Sequence, residues 1–294
     1  MGADLGPIGR LRLVPERLRA GIYLDPWHRI EDTVLVVASG RSGSTWIAEV
    51  INHQNEYRLV FEPFRRDRVR RARGFRRGEY LDPREQEHPL AGTIDALLAG
   101  RVRGWWTDAH NRRRLVRRRI VKEVRLTNLL PWLRARHPGL RIVYGVRDPV
   151  AVARSWLELG WGDDLDDLLS QPALLTQFPG LEQTLAHVAR HGDALERHVL
   201  RWCLENAIPL RAHAELDLHL VVYERLRAEP EREAARLFAY LGGEAPADEA
   251  AVRRPSATAA FRRVRAVSLT RAQRERAREL VALFGLSGLA PVDE

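Results

Sequence analysis

The chain has 294 residues, 45% of them hydrophobic, and a formal net charge of +9. That length and apolar content suit one elaborated α/β domain with a substantial core, and no run approaches the ~18 apolar residues of a membrane span. One cysteine, Cys203, excludes an internal disulfide and any multi-cysteine metal site.

Residues 1–31 read as an irregular, Pro- and Arg-containing leader without a signal-peptide apolar region. The first predicted strand is 33–38, a β-branched apolar run suited to a central parallel position. It runs into Ser39-Gly40-Arg41-Ser42-Gly43-Ser44-Thr45-Trp46 and a helix predicted over 44–54. Gly40 and Gly43 free the backbone so that successive N–H groups can face one point. Ser44 and Thr45 open a helix whose N-terminus attracts anions, and Arg41 adds a fixed positive charge. The pattern predicts a phosphate-type site; the plain alternative is an ordinary strand–helix turn. It is not a Walker A loop, because the required lysine is missing.

A second strand is predicted at 58–61, ending at Glu62. Residues 65–118 are dense in arginine and poor in strand character, and read as an insertion or lid. Within them, Arg101 to Trp106 interleave basic and aromatic residues. A solvated helical face with two core tryptophans is the expected reading, ahead of a sugar, acidic-acceptor or nucleic-acid surface. No recognised nucleic-acid motif is present.

The third strand is predicted at 119–124 and carries Lys122, the single lysine among 48 basic residues. A chain that uses arginine almost everywhere retains here a compact, rotatable ammonium that a guanidinium does not mimic. A helix follows at 126–136, then a strand at 141–146 that ends at Arg147. Asp148 can cap the next helix, 149–160, and Pro149 fits its first turn. Ser155 lies about two turns in, within reach of an anion at the strand end. A long helix is predicted over 181–213, with Cys203 on its apolar stripe. The last strand, 218–223, ends at Tyr223, and helices follow at 229–241 and 271–284.

Alternating strands and helices predict a parallel sheet covered on both faces. Sites in such sheets lie at the carboxyl ends of the strands. Arg41 to Trp46, together with Glu62, Lys122 to Arg125, Arg147 and Tyr223, therefore gather at one edge and predict a strongly anionic ligand.

From about residue 33 to 285 the chain resembles sulfotransferases that use 3′-phosphoadenosine-5′-phosphosulfate (PAPS), most closely the carbohydrate branch. Gly40 to Trp46 resembles that family's 5′-phosphosulfate loop. Arg147 and Ser155 resemble its 3′-phosphate pair. Val222-Tyr223-Glu224-Arg225-Leu226 resembles its Tyr-Glu-Asp-Leu segment, with Arg225 in place of the usual Asp. Phe61-Glu62-Pro63 and Val121 to Leu126 are similar to segments of the Golgi carbohydrate enzymes.

The resemblance implies a P-loop-like three-layer fold with a central parallel sheet of about five strands. It also implies transfer of a sulfuryl group from PAPS to a hydroxyl of a sugar, glycoside or other small molecule. Donor contacts are expected from Arg41, Ser42, Gly43, Ser44, Thr45, Trp46, Arg147, Ser155 and Tyr223. Either Arg253-Arg254-Pro255-Ser256 or Phe261-Arg262-Arg263 is expected to complete the 3′-phosphate site. Lys122 and Arg41 are the expected charge stabilisers, without a metal. The histidine base of many cytosolic relatives is replaced by Val124. Glu62 is the expected base or acceptor-orienting carboxylate, with His53 and Glu123 as alternatives.

The competing readings are a small-molecule kinase of the P-loop class and a non-catalytic polyanion binder. The expected compartment is the cytoplasm. The acceptor and oligomeric state are left open.

Overall fold

The computed structural model describes residues 26–111, 115–246, 249–253 and 266–288. Five strands form the sheet: β1 (Thr33–Ala38), β2 (Tyr57–Phe61), β3 (Arg118–Glu123), β4 (Arg141–Val146) and β5 (Leu218–Val222). Their order is β2-β3-β1-β4-β5, and every pairing is parallel. β1 is central and buried along its whole length, as expected of a β-branched run with helices on both faces.

Side chains alternate along the strands and divide the core in two. Val34 and Val36 of β1, with Leu59, Ile120, Val143 and Val221, face the helices Ser44–Ile51 and Pro230–Leu241. Leu35 and Val37, with Val60, Val121, Ile142 and Tyr144, face the helices Pro149–Glu158 and Ala194–Arg211. Trp132, Trp156 and Trp202 fill this second, larger layer without exposure. Burial of each such side chain contributes about 1.5–3 kcal/mol or more.

The helix expected over 181–213 is two helices, Glu182–His191 and Ala194–Arg211. Gly192 breaks the run, because a Cβ there would lie 2.5 Å from the Val188 carbonyl oxygen. Asp193 then caps the second helix by accepting from the Leu195 and Glu196 amides, while the Glu196 carboxylate accepts from the Asp193 amide at 2.7 Å. This is a complete capping box.

The described residues of 65–117 are mostly irregular, with a short 3-10 turn at Arg70–Ala72 and helices at Ala91–Leu98 and Trp105–Asp108. They are built into the larger layer, where Val69, Ala72, Phe75, Leu81, Ile94 and Leu97 join the core. Arg58, fully buried on β2, anchors this segment. It pairs with Asp108 at 2.8 Å and donates to the carbonyls of Gly100 at 2.7 Å and Val102 at 2.5 Å. The exposed edge of β2 is covered by Asn111, whose side chain accepts from the Leu59 amide and donates to the Leu59 carbonyl. An edge strand is protected from pairing with another chain in this way.

Candidate active site

Sheet order places the strand ends side by side as a row. It runs from Glu62 after β2 to Lys122 on β3, the Ser39–Gly43 loop after β1, Arg147 after β4 and Tyr223 after β5. Neighbouring strands lie about 4.8 Å apart, so the row spans the upper edge of the sheet. Arg41 (φ 71°) and Glu62 (φ 43°) take left-handed backbone conformations. Few non-glycine residues do so, and such strain collects at binding sites.

The loop half of the row includes buried polar atoms without a hydrogen-bond partner among the described residues. Gly43 starts the helix Ser44–Ile51 at φ 83°, and no side chain caps it. Its first turn carries no acid, so the amides there keep their partial positive charge for a ligand. A Cβ on Gly43 would lie 2.7 Å from the Tyr223 ring, so only glycine lets the ring close over the loop. Ser42 is 1% exposed, and its Oγ has no hydrogen-bond partner. Arg147 donates through Nη1 to the Arg41 carbonyl at 3.0 Å and lies 4.4 Å from the Tyr223 ring centre. Its Nε is buried without a partner. Buried polar groups are normally satisfied, so Ser42 Oγ and Arg147 Nε are free to bond an incoming group.

Arg147 and Ser155 both contact Arg41. Ser155 Oγ accepts from Arg41 Nε at 3.2 Å. Asp148 caps the helix Pro149–Glu158 by accepting from the Ala151 amide at 2.5 Å. Trp46 donates to the Val252 carbonyl at 2.7 Å and meets Tyr223 edge-on at 5.9 Å. Ser44 and Thr45 are buried in the first turn. Arg254 and Arg262, expected to complete this end, lie outside the described residues.

Sequence reasoning gave Glu224 no role. One of its carboxylate oxygens accepts from the Asp148 amide at 3.1 Å, and the other is buried without a partner. Burial raises its pKa above the ordinary value.

The other half of the row is fully paired. Lys122 Nζ lies 2.7 Å from Glu62 and 4.7 Å from the Phe61 ring centre. Arg125 bridges Glu62 at 3.1 Å and Glu123 at 2.9 Å. Burial alone would raise the Glu62 pKa. The charges of Lys122 and Arg125 outweigh it and hold the carboxyl well below its ordinary value.

Glu123 points to the opposite face of β3. It accepts from the amides of Phe64 and Val124, each at 2.8 Å. It therefore fixes the chain just after Glu62 and just after Lys122. His53 follows the helix that leads away from the loop. Its Nδ1 contacts the Val50 carbonyl, and its ring packs on Phe238. It sits at the far end of that helix from the loop.

A second charge cluster supports the row from the larger layer. Arg201 and Glu205 pair at 3.0 Å with side chains 1% exposed, and Arg77 reaches Glu205 at 3.3 Å. Asp164 accepts from Arg77 at 2.9 Å and from Arg201 at 3.0 Å. Beside them, Tyr144 donates to Asn206 at 2.6 Å, and Asn206 donates to Ser39 Oγ at 2.7 Å. Sequence reasoning placed Arg125 at the strand ends but missed Arg77, Arg201, Glu205 and Asn206 as supports of the site. Arg201 and Glu205, four residues apart in an apolar helix, carried a readable signal. Arg77 stands in an arginine-rich run and carried none.

Trp105 and Trp106 are half-buried, and Arg101 to Gly104 are not helical. Of the expected helical face, only Trp105–Asp108 is helical here, and its two tryptophans are half-buried, with Trp106 packed against the core. Trp106 donates to the Glu62 carbonyl at 3.3 Å and meets Phe61 edge-on at 5.4 Å.

Residues 31–279 match the family described as "Sulfotransferase domain", and the chain belongs to that family. No match was found among curated proteins. The chain is similar to the "Sulfotransferase Domain from the Synechococcus PCC 7002 Olefin Synthase" at 14% identity, over 90% of this chain and 98% of that one, with a TM-score of 0.45. It is also similar to a sulfotransferase from Alicyclobacillus acidocaldarius at 13% identity, over 87% of this chain and 92% of that one, with a TM-score of 0.44. The family assigns the chain to enzymes of sulfuryl transfer. Among the described residues no helix is long and apolar enough to cross a membrane.

Proposed function

We propose that this sulfotransferase uses PAPS and acts on a hydroxyl of a sugar, glycoside or similar small molecule. The row of strand ends carries the reading, because its charges follow the order that such a donor and acceptor require. Bound there, PAPS would supply an activated sulfuryl group on a phosphate leaving group. Three features of the protein suit it: the uncapped helix N-terminus, the unpartnered Ser42 Oγ, and the unpartnered Arg147 Nε.

In this reading Ser42 to Trp46 hold the 5′-phosphosulfate, Arg147 and Ser155 hold the 3′-phosphate, and Tyr223 packs by the adenine. Lys122 and Arg41 place positive charge where the leaving oxygen gains negative charge, the kind of preorganised stabilisation that dominates group transfer of this type. Glu62 performs two tasks. It holds Lys122 in place, and it presents a carboxylate oxygen to the acceptor hydroxyl. Its lowered pKa makes it a weak proton store, so orientation of the hydroxyl is its larger contribution. Arg125 fixes Glu62 from the other side. The single buried cysteine accords with a reducing, cytoplasmic setting.

The test is direct. The full chain is incubated with PAPS and a panel of neutral and acidic saccharides, and release of the 3′,5′-bisphosphate is followed with sulfation of the acceptor. Coupled release and sulfation are expected. Transfer of phosphate from ATP with magnesium would replace this reading with a kinase. Salt-controlled polyanion binding without any nucleotide effect would replace it with a binder.

A further inference from the structure

Beside Glu62 lies a groove of about 370 Å³. That volume falls in the ~300–1,000 Å³ range of small-molecule sites. Arg68, Arg70, Arg71, Arg101 and Arg103 line it, together with the rings of Trp105 and Trp106. All five arginines are exposed. Asp67 is shared by Arg65 at 2.9 Å and Arg68 at 3.4 Å. Among the described residues, Arg70, Arg71, Arg101 and Arg103 have no carboxylate partner.

The groove wall is held from beneath. Buried Arg58 grips the carbonyls of Gly100 and Val102 and the carboxylate of Asp108. Asp108 in turn accepts from the Gly104 amide at 3.2 Å and from Thr107 Oγ1 at 2.8 Å. Val102 packs inward against the core, which leaves Arg101 and Arg103 on the open side. Arg65 stacks 4.5 Å over Trp106. The same Trp106 bonds the Glu62 backbone and packs on Phe61, whose ring lies under Lys122. A ligand in the groove therefore shares a wall with the reacting edge.

We propose that this groove binds carboxylate or sulfate groups of the acceptor, so that the preferred acceptor is an acidic saccharide. The proposal rests on the sulfotransferase reading of Glu62 and Lys122. Guanidinium groups pair with carboxylates and sulfates through two parallel hydrogen bonds. Tryptophan faces supply apolar area for a sugar ring. A neutral acceptor would leave Arg70, Arg71, Arg101 and Arg103 without a carboxylate partner among the described residues, and so would gain no ion pair from them.

The experiment compares two acceptors of equal length, β-1,4-linked tetraglucuronate and neutral cellotetraose. Wild type and the Arg101→Ala/Arg103→Ala variant are used as full chains with PAPS. Wild type is expected to favour tetraglucuronate in kcat/KM by at least about tenfold, the worth of one charge-assisted hydrogen bond. The double variant is expected to raise the tetraglucuronate KM by a similar factor. Its kcat, its action on cellotetraose and its affinity for the 3′,5′-bisphosphate should stay unchanged.

An unchanged tetraglucuronate KM, or an equal loss for cellotetraose, overturns the proposal. So does a thymidine oligonucleotide of equal charge that competes as well as tetraglucuronate. If no acceptor is sulfated and the bisphosphate does not bind, the PAPS reading has failed instead. Calorimetric binding of tetraglucuronate to wild type and variant then decides the groove alone, and equal affinity for the two overturns it.

Discussion

The two halves of the strand-end row differ in how their polar groups are satisfied. After β1, β4 and β5, Ser42 Oγ, Arg147 Nε and one Glu224 oxygen are buried with no partner. After β2 and β3, Lys122, Glu62, Arg125 and Glu123 are locked to one another. Unsatisfied buried groups are costly, and in the proposed function the first half gains its missing partners from the donor. The second half already holds its charges in position, which suits chemistry that needs preorganised charge. Substitutions in the two halves should therefore act on different quantities.

The largest effects belong to the paired half and should appear in turnover. Lys122→Ala should lower single-turnover sulfuryl transfer by roughly 10²–10³, the usual loss for one transition-state donor. Lys122→Arg should restore only part of it, because a planar guanidinium does not fit a point-charge site. Glu62→Gln should cost about 10²–10⁴ in turnover if the carboxylate accepts the proton, and less if it mainly orients the hydroxyl. Bisphosphate affinity should hardly change in either variant, and a large loss of affinity would erase the distinction between the halves.

Next in size is the supporting cluster, where stability is the quantity at stake. Arg201→Met leaves Glu205 buried and unpaired with Arg201, which should cost about 3–5 kcal/mol in chemical denaturation. Ligand affinity of the folded fraction should persist.

The unpaired half should respond in affinity. Arg147→Ala should weaken the 3′,5′-bisphosphate at least about tenfold, since one charge-assisted bond contributes roughly 1.5–3 kcal/mol. Ser42→Ala should weaken it by only about two- to tenfold, as for a neutral hydrogen bond. Because Ser42 Oγ has no partner within the protein, the ligand-free variant should unfold no more easily than wild type. Lower stability of the ligand-free variant would show that the hydroxyl serves the fold.

The smallest effect concerns pH. Glu62 has a folded pKa below its unfolded value near 4.3. Its ion pairs therefore stabilise the protein above that value, and the contribution is lost as pH falls through the lower, folded pKa. Turnover should show no Glu62-dependent loss between about pH 7 and pH 5. An acid limb in that window that Glu62→Gln removes would contradict the pairing.

Much of this arrangement was legible in the residues. The strands at 33–38 and 141–146 were bounded as observed, because β-branched runs between turn residues leave little choice. The Gly- and Ser-containing turn into the helix Ser44–Ile51, and the place of Arg147 after β4, followed from local glycine, serine and strand-end placement. The pairings were not legible. That Ser155 bonds Arg41, or that Arg125 bridges Glu62 and Glu123, depends on which strands are neighbours and which face each residue takes. The position of His53, past the end of the helix Ser44–Ile51 and packed on Phe238, was not legible for the same reason. That Arg101 to Gly104 lie outside the short helix was not legible, since Arg58, which holds the Gly100 and Val102 carbonyls, lies more than forty residues away in sequence.

The central claim is that the unpaired half is a PAPS-type donor site. Its most direct test is thermal unfolding of wild type and Arg147→Ala with 3′-phosphoadenosine-5′-phosphate, ATP with magnesium, or GTP. At a hundred times its dissociation constant the bisphosphate should add about 2.7 kcal/mol to wild-type stability. ATP and GTP should add less at the same concentration, and Arg147→Ala should lose most of the gain. No shift with the bisphosphate, or a larger one with ATP and magnesium that survives in Arg147→Ala, would contradict the account.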